Sequence, residues 1–237
     1  MKLLRIAFVA DKCIPVHARS LDERPLGGTE TGLIRIAEEF VRLGHDVVVF
    51  TSLPEPVGSI PRYLPLSAIS SSQAFDVAIA VKDWRSLYSG VRAQKWCYWT
   101  GDGAEQYSTF GVGDRRVEQR IHALFCASSW HRETLCAQSG FDPTRAKVVG
   151  NGVHLAHFLG GERRSPRRLI FTSAPYRGLQ FMPRIFSALK RKYADLELHV
   201  FSGMKLYDTD RPFEGPHKDF EREISAALSK LAGVYLY

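Results

Sequence analysis

The chain of 237 residues is longer than one average domain, shorter than two complete nucleotide-binding domains, and 45% hydrophobic, which is enough for a substantial core. A net charge of +7 favours an anionic partner such as a nucleotide phosphate or an acidic membrane surface. We predict no nucleic-acid partner, because the sequence has neither a zinc-finger spacing nor a helix with a continuous basic stripe. No apolar stretch approaches the ~20 residues of a membrane-spanning helix.

The first 150 residues alternate between strand and helix patterns. The apolar run 3–10 is too short for an export signal and ends in Asp11, so it predicts a first strand in a cytoplasmic protein. A 3.6-residue apolar period with Gly44 behind it predicts a helix over 30–43. Buried strands separated by helices predict a doubly wound α/β domain, whose ligands bind at the carboxyl ends of its parallel strands. The other predicted elements are strands 46–51, 76–81, 95–100, 123–128 and 147–149 and a helix over 129–139.

The composition changes at residues 160–168, which read GGERRSPRR and predict a linker. Its arginines form either a solvated face or an anion site. A second alternation follows, and a sheet that ends on its third strand has an unpaired edge and an uncovered apolar face. We therefore assign residues 1–160 to a complete N-terminal Rossmann-like domain and 161–237 to the first part of a second one. The second alternation consists of strands 168–173, 197–202 and 233–237 and helices 178–193 and 220–231.

The cysteines and histidines predict no metal site. The four cysteines contain no Cys-x-x-Cys pair, and those in apolar runs predict reduced thiols in the core. His154 and His157 have the spacing of two ligands but no third ligand nearby. The cysteines are Cys13, Cys97, Cys126 and Cys136.

The first candidate site follows strand 3–10, where Gly27, Gly28, Thr29 and Glu30 open a helix after a long loop. Glycines allow close approach to the backbone, and free N–H groups at a helix start attract phosphate. Thr29 is the predicted N-cap, so a plain capped helix start is the alternative. The glycines come too late for the dinucleotide fingerprint, which argues against an NAD-dependent oxidoreductase.

Polar residues also follow two other predicted strands directly. Lys82 and Asp83 follow strand 76–81, and Asp102 stands between two glycines after strand 95–100. Asp102 either accepts hydrogen bonds from sugar hydroxyls or is a turn residue. His17, in the first long loop, is a further candidate for substrate contact. The catalytic candidates are therefore Lys82, Asp83 and Asp102, and the candidates on the acceptor side are Glu30, His17 and Asp102.

A basic candidate site follows the first strand of the second domain. Ser173 ends that strand, and Arg177 and Gly178 precede a predicted helix. A guanidinium at a helix N-terminus, facing a cleft between two domains, suits a diphosphate. An arginine solvated at a helix start is the alternative. The predicted donor-binding set is Gly27, Gly28, Thr29, Ser173, Arg177 and Gly178.

Five strings of the sequence, in order, resemble family 4 retaining glycosyltransferases of the GT-B type, and the resemblance covers essentially the whole chain. The glycine loop and first helix of that family are similar to the string GGTETGLIRIAEEFVRLGHDVVVFT. The end of its N-terminal domain is similar to two strings, ASSWHRETL and then KVVGNGV. FTSAPYRGLQFM resembles the start of its C-terminal domain, where a basic residue before Gly-Leu binds the donor diphosphate, and ELHVFSGMKLYD resembles the following strand.

The resemblance implies transfer of a sugar from a nucleotide-sugar donor to an acceptor with retention of configuration and without a metal or cofactor. The acceptor is a saccharide, a lipid-linked glycan or another cell-envelope glycan, and family members that act on lipids dock peripherally on acidic membranes. The sequence departs from the family in three respects. Lys82-Asp83 stands where many members have a histidine, Ser173 stands near the place of an arginine, and Arg177 replaces the diphosphate-binding lysine.

The family's E-x7-E motif would lie beyond Tyr237, so we expect this chain to be an inactive fragment of the enzyme. Two other functions remain open at this stage. One is a truncated, inactive copy or a carbohydrate-binding remnant, and the other is a nucleotide-sugar epimerase. The epimerase requires a cluster of acid/base residues around the anomeric carbon, and the sequence shows no convincing one.

Overall fold

The computed structural model describes residues 2–58, 60–155, 160–161, 164–203 and 216–237. It divides into two units, Met1–Val153 and His154–Tyr237. Part of the predicted linker, at 162–163, and His157 of the histidine pair lie outside the described residues. None of the helices in the described ranges is long and apolar enough to cross a membrane. The assignment of residues 1–160 and 161–237 to acceptor-side and donor-side domains stays a prediction.

The first unit contains a parallel sheet with the spatial order β3-β2-β1-β4-β5-β6-β7. The order reverses between β1 and β4, which pair directly with Ile6 opposite Val77. Such a reversal leaves a crevice at the carboxyl ends of the two strands. The predicted doubly wound α/β class is therefore confirmed. The strands are β1 (Arg5–Ala10), β2 (Asp46–Thr51), β3 (Arg62–Pro65), β4 (Ala74–Val81), β5 (Arg92–Thr100), β6 (Ala123–Cys126) and β7 (Ala146–Val148).

Two of the first unit's helices begin directly after loops at the carboxyl edge of the sheet. The N-cap of α2 is Gly27, with an extended backbone, so the prediction of Thr29 as the cap is wrong. Thr29 lies inside the first turn, where its backbone is already helical. Ser128 caps α4 by accepting a hydrogen bond from the His131 N–H, and left-handed Gly140 ends it. The helices are α1 (Ser20–Glu23), α2 (Gly28–Arg42), α3 (Arg115–Glu118) and α4 (Ser129–Ser139), with 3-10 turns at Leu66–Ala68 and Trp84–Tyr88.

Both faces of the first unit's sheet are buried. Phe50 belongs to one core cluster and Phe8 to the other, and neither side chain is accessible to solvent. Successive residues of a strand point to opposite faces, so a strand apolar at every position serves two cores. All four cysteines are free and buried, as the prediction of reduced core thiols requires.

The sequence did not predict β3, which pairs with β2 and places Tyr63 opposite Val49. The strand has only four residues and ends in Pro65, while Pro61 directly precedes it. Prolines are found at the ends of edge strands, where no N–H is needed for a ladder, but they break the sequence pattern of a strand.

The second unit contains a parallel sheet of three strands, in the order β10-β9-β8, among the residues described there. This is the order of the first half of a Rossmann fold, as predicted. The helix predicted over 178–193 begins later, because Gly178 has a φ of 107° and a 3-10 turn at Leu179–Phe181 intervenes. The elements are β8 (Arg168–Phe171), α5 (Met182–Lys192), β9 (Glu197–Val200), α6 (Pro216–Ser229) and β10 (Val234–Leu236).

Among the described residues of the second unit, the core cluster packs against one face of the sheet. Leu198 and Phe186 are buried in a core cluster that includes residues of α5 and α6. On the opposite face Ile170 is 63% exposed. There the His199 ring stacks on that of Tyr235, with 4.7 Å between ring centroids.

Candidate functional site

Charged residues from several parts of the first unit act on the buried side chain of Cys13, which follows β1. Burial and, after it, the Glu30 carboxylate raise the pKa of the Cys13 thiol to about 12, while the Lys82 ammonium acts to lower it. The Asp102 carboxylate also acts on this thiol. Glu30 at the start of α2, Lys82 directly after β4 and Asp102 after β5 therefore lie near this thiol, at the carboxyl edge of the sheet, and they stay the candidate site.

Lys82 has an unusual backbone for a residue other than glycine, with a φ of 70° directly after β4. Two contacts hold it there. The Lys82 N–H donates to the carbonyl of Trp99 at 2.8 Å. The Tyr98 hydroxyl lies 2.8 Å from the Lys82 carbonyl, to which it donates. Left-handed backbone at a non-glycine residue is strained and concentrates at functional sites, so this strain supports the choice of Lys82 as a candidate.

The start of α2 forms another wall of the site. Glu30 is buried, and its Oε1 accepts a hydrogen bond from the Ile14 N–H at 3.2 Å. A Cβ added to Gly27 would lie 2.5 Å from Glu30 Oε2, so glycine is required for this carboxylate to fold back. A Cβ added to Gly28 would meet nothing within 4 Å. The space beside Gly28 therefore leaves room for a ligand at the start of α2.

Asp102 is held by three hydrogen bonds that leave part of its carboxylate available. Its N–H donates to Thr100 Oγ1 at 3.0 Å, and its Oδ2 accepts from the Ser108 hydroxyl at 2.6 Å. Its carbonyl lies 2.9 Å from Nε2 of the buried His131. Because His131 Nδ1 accepts from the Ala127 N–H at 3.1 Å, the ring proton is on Nε2 and is donated to Asp102.

Two of the predicted candidates have structural partners. Asp83 is buried and accepts hydrogen bonds from both the backbone and the guanidinium of Arg85, at 2.9 and 3.0 Å. His17 Nε2 lies 3.2 Å from a carboxylate oxygen of Glu23, in α1. Neither contact brings the residue to the carboxylates around Cys13.

The second unit presents its candidates in a turn after β8. The Arg177 N–H donates to the carbonyl of Ala174 at 2.9 Å, which closes the turn, and the Arg177 side chain is exposed. The Ser173 carbonyl accepts a hydrogen bond from the Ser202 hydroxyl. Arg177 precedes a 3-10 turn at Leu179–Phe181 that continues directly into α5, so it lies just before this helical segment, and its role toward a diphosphate stays a prediction.

Within the described parts of the chain, no group of three or more potential ligands could hold a metal ion. The predicted candidates include two cations that follow strands, Lys82 after β4 and Arg177 after β8.

No protein-family model matches the chain, and no curated protein sequence is similar to it. Solved structures are similar in fold at low sequence identity. A glycosyltransferase from Rickettsia africae ESF-5 has a TM-score of 0.66 and 13% identity, covering 100% of this chain and 68% of its own. Anabaena HepE in complex with UDP-glucose has a TM-score of 0.61 and 14% identity, over 99% and 68% of the two chains. The catalytic domain of Arabidopsis thaliana starch synthase IV, bound to ADP and acarbose, has a TM-score of 0.59 and 10% identity. The match covers 99% of this chain and 74% of that one.

These likenesses and the two parallel sheets define the class of fold: the chain has the α/β architecture of GT-B glycosyltransferases. At 10–14% identity they show the fold alone.

Proposed function

We propose that this protein is a glycosyltransferase that moves a sugar from a nucleotide-sugar donor to a glycan acceptor. The observation that carries the proposal is the likeness of the whole chain to GT-B structures, one of them in complex with UDP-glucose. Polar side chains at the carboxyl ends of the strands add to it, because this is the edge at which doubly wound sheets bind their ligands.

The donor's diphosphate is assigned to Arg177 and its turn. A guanidinium can donate two parallel hydrogen bonds to phosphate oxygens, and left-handed Gly178 lets the chain turn away directly behind it. Departure of the nucleoside diphosphate builds up negative charge, which a fixed cation stabilises without a metal. The open space beside Gly28, at the start of α2, is assigned to an anionic group of a substrate.

The acceptor is assigned to the first unit, at Asp102, Glu30 and Lys82. The carboxylate of Asp102 is oriented by Ser108 and can accept a hydrogen bond from an acceptor hydroxyl. Lys82 supplies a positive charge at the point where the strand order reverses. No side chain among these is placed as a nucleophile, which agrees with transfer without a covalent intermediate on the protein. Membership of family 4 and retention of configuration rest on the sequence resemblance.

A donor screen tests the proposal. The full-length protein is incubated with UDP-, ADP- and GDP-sugars and a mixture of saccharide acceptors, because the present chain is expected to be inactive, and release of nucleoside diphosphate is measured. The variant compared with the wild-type protein is Asp102→Asn, which keeps the size of the side chain and removes its charge. Release that requires both acceptor and Asp102 supports the proposal. Product with inverted configuration would contradict assignment to a retaining family, and absence of both binding and release for every donor would contradict the function itself.

A further inference from the structure

An exposed aromatic surface lies beside Asp102, on the loop that follows β5. Tyr107 is 74% exposed. A single exposed ring is ordinary on a protein surface, and what distinguishes this one is how it is held. We use the name aromatic platform for Tyr107 together with Trp84 and Arg85, which support it.

Arg85 supports the ring of Tyr107 from one side. Its guanidinium carbon lies 4.1 Å from the centroid of the Tyr107 ring and 4.8 Å from that of Trp84. Nη1 of Arg85 donates to the Tyr107 carbonyl at 3.0 Å and to Oδ1 of Asp83, also at 3.0 Å. Asp83 is only 2% exposed, so it anchors the arginine firmly. Stacking and hydrogen bonding together fix the position of the ring before any ligand arrives.

The same loop connects the platform to the polar part of the site. Ser108, the next residue, donates to the Asp102 carboxylate at 2.6 Å. The Tyr98 hydroxyl is within 3.0 Å of the Ser108 carbonyl, and Trp84 Nε1 donates to the Phe110 carbonyl at 2.9 Å. An apolar ring face and an oriented carboxylate are therefore carried by one short, well-pinned segment.

We propose that Tyr107 is a stacking platform for a pyranose ring of a saccharide acceptor, with Asp102 binding hydroxyls at the rim of that ring. A pyranose has an apolar C–H face and a polar rim, the same combination that the platform and Asp102 present. The Arg85 charge is paired with Asp83, so the surface favours a neutral ligand over a phosphate or an acidic lipid headgroup. The inference rests on the proposed function and names its acceptor class.

Ligand-observed saturation-transfer NMR with neutral trisaccharides (maltotriose, cellotriose, mannotriose and chitotriose) tests the platform. For a trisaccharide that binds, we expect saturation to be strongest on C–H protons of one ring face. Tyr107→Ala is expected to raise its Kd about five- to tenfold, and Tyr107→Phe, which keeps the ring, to change it by less than about twofold. Tyr235→Ala is the matched control, an exposed tyrosine of the second unit, and should leave Kd unchanged. Circular dichroism checks that each variant is folded.

Three results would overturn the platform. They are absence of saturation for every trisaccharide, equal affinity of the wild-type protein and Tyr107→Ala, and sedimentation with phosphatidylglycerol vesicles that depends on Tyr107. UDP binding is measured on the same samples. UDP binding without saccharide binding refutes the platform and leaves the proposed function standing, whereas saccharide binding without any nucleotide binding supports the platform and refutes the donor part of the proposed function.

Discussion

The two units are built on the same parallel strand pattern but bury it to different extents. In the first unit, Phe8 and Phe50 are both fully buried, in cores on opposite faces of one sheet. In the second unit, Leu198 is buried on one face while Ile170 of the neighbouring strand is largely exposed on the other. Apolar strand sequence alone therefore does not tell how many faces of a sheet are packed.

The two units also differ in how their candidate site residues are held in place. In the first unit, Asp102 is held by His131, 29 positions away, as well as by its loop neighbours, and Lys82 is held by Tyr98, 16 positions away, and Trp99 of the adjacent strand. Arg177 in the second unit is exposed in a local turn. The candidate residues of the first unit are therefore held before any ligand binds, whereas Arg177 is held through its backbone and exposes its side chain.

Truncating buried side chains gives the largest expected effect and tests the comparison directly. Phe8→Ala and Phe50→Ala should each cost about 3–5 kcal/mol of unfolding free energy in the first unit. In the second unit Leu198→Ala should cost about 2–5 kcal/mol, whereas Ile170→Ala should cost less than about 1 kcal/mol.

The two units can be measured separately. All four tryptophans of the sequence lie in the first unit, so their fluorescence during urea unfolding reports that unit. Amide exchange of peptides from β9 reports the second. An equal loss of unfolding free energy for Leu198→Ala and Ile170→Ala would mean that both faces of the second sheet are packed. That result would contradict the difference drawn here between the two units.

Alkaline pH should destabilise the first unit selectively. Burial raises the pKa of the Cys13 thiol to about 12 and that of Cys126 to about 11, from an ordinary value of 9.0. A raised folded-state pKa stabilises the protein below the unfolded value and loses this contribution as pH rises through the folded one. Stability should fall between pH 9 and about 12, by up to about 1.4 kcal/mol per pH unit for each thiol.

Tryptophan fluorescence at increasing pH measures this loss. Cys13→Ala removes one titrating thiol and should flatten the pH dependence of the first unit. If the second unit, which has no cysteine, unfolded first as the pH rose from 9, the buried thiols would not be the cause.

Replacing Lys82 should have the smallest effect on stability. Two variants distinguish the effect of its left-handed backbone on stability from the effect of its side chain on activity. Lys82→Gly relieves the left-handed backbone and should stabilise the first unit by up to about 1 kcal/mol. Lys82→Ala keeps the strain and should not stabilise it. Both should lower sugar transfer, because both remove the ammonium group. Thermal melting and the donor screen measure the two effects, and a stabilised Lys82→Gly with full activity would exclude Lys82 from the site.

The sequence predicted the fold because strand runs and helix periods are local patterns. The run at 76–81 identified most of β4, and the rule that ligands bind at carboxyl ends of strands pointed to Lys82 and Asp102. The strand β3 was missed because prolines interrupt its pattern, and the start of α5 was misplaced because the conformation of Gly178 is not visible in its identity.

Site details that depend on long-range contacts could not be predicted. His131 contacts Asp102 across 29 residues, and Arg85 stacks on Tyr107 across 22. The only local signal at His131 was its place three residues after the capping Ser128. Nothing in the sequence indicated the left-handed backbone of Lys82, which depends on hydrogen bonds with Trp99 and Tyr98 of β5.

Nucleotide binding by Arg177 variants tests the central claim, a donor diphosphate held at the turn after β8, most directly. Calorimetric titration with UDP, ADP and GDP identifies the nucleotide that binds the wild-type protein. For that nucleotide, Arg177→Ala should weaken binding by on the order of 2–4 kcal/mol, while Arg177→Lys keeps part of the affinity because the charge remains. Arg184→Ala, at an exposed arginine of α5, is the matched control and should bind normally. Unchanged affinity in Arg177→Ala, or an equal loss in Arg184→Ala, would contradict the claim.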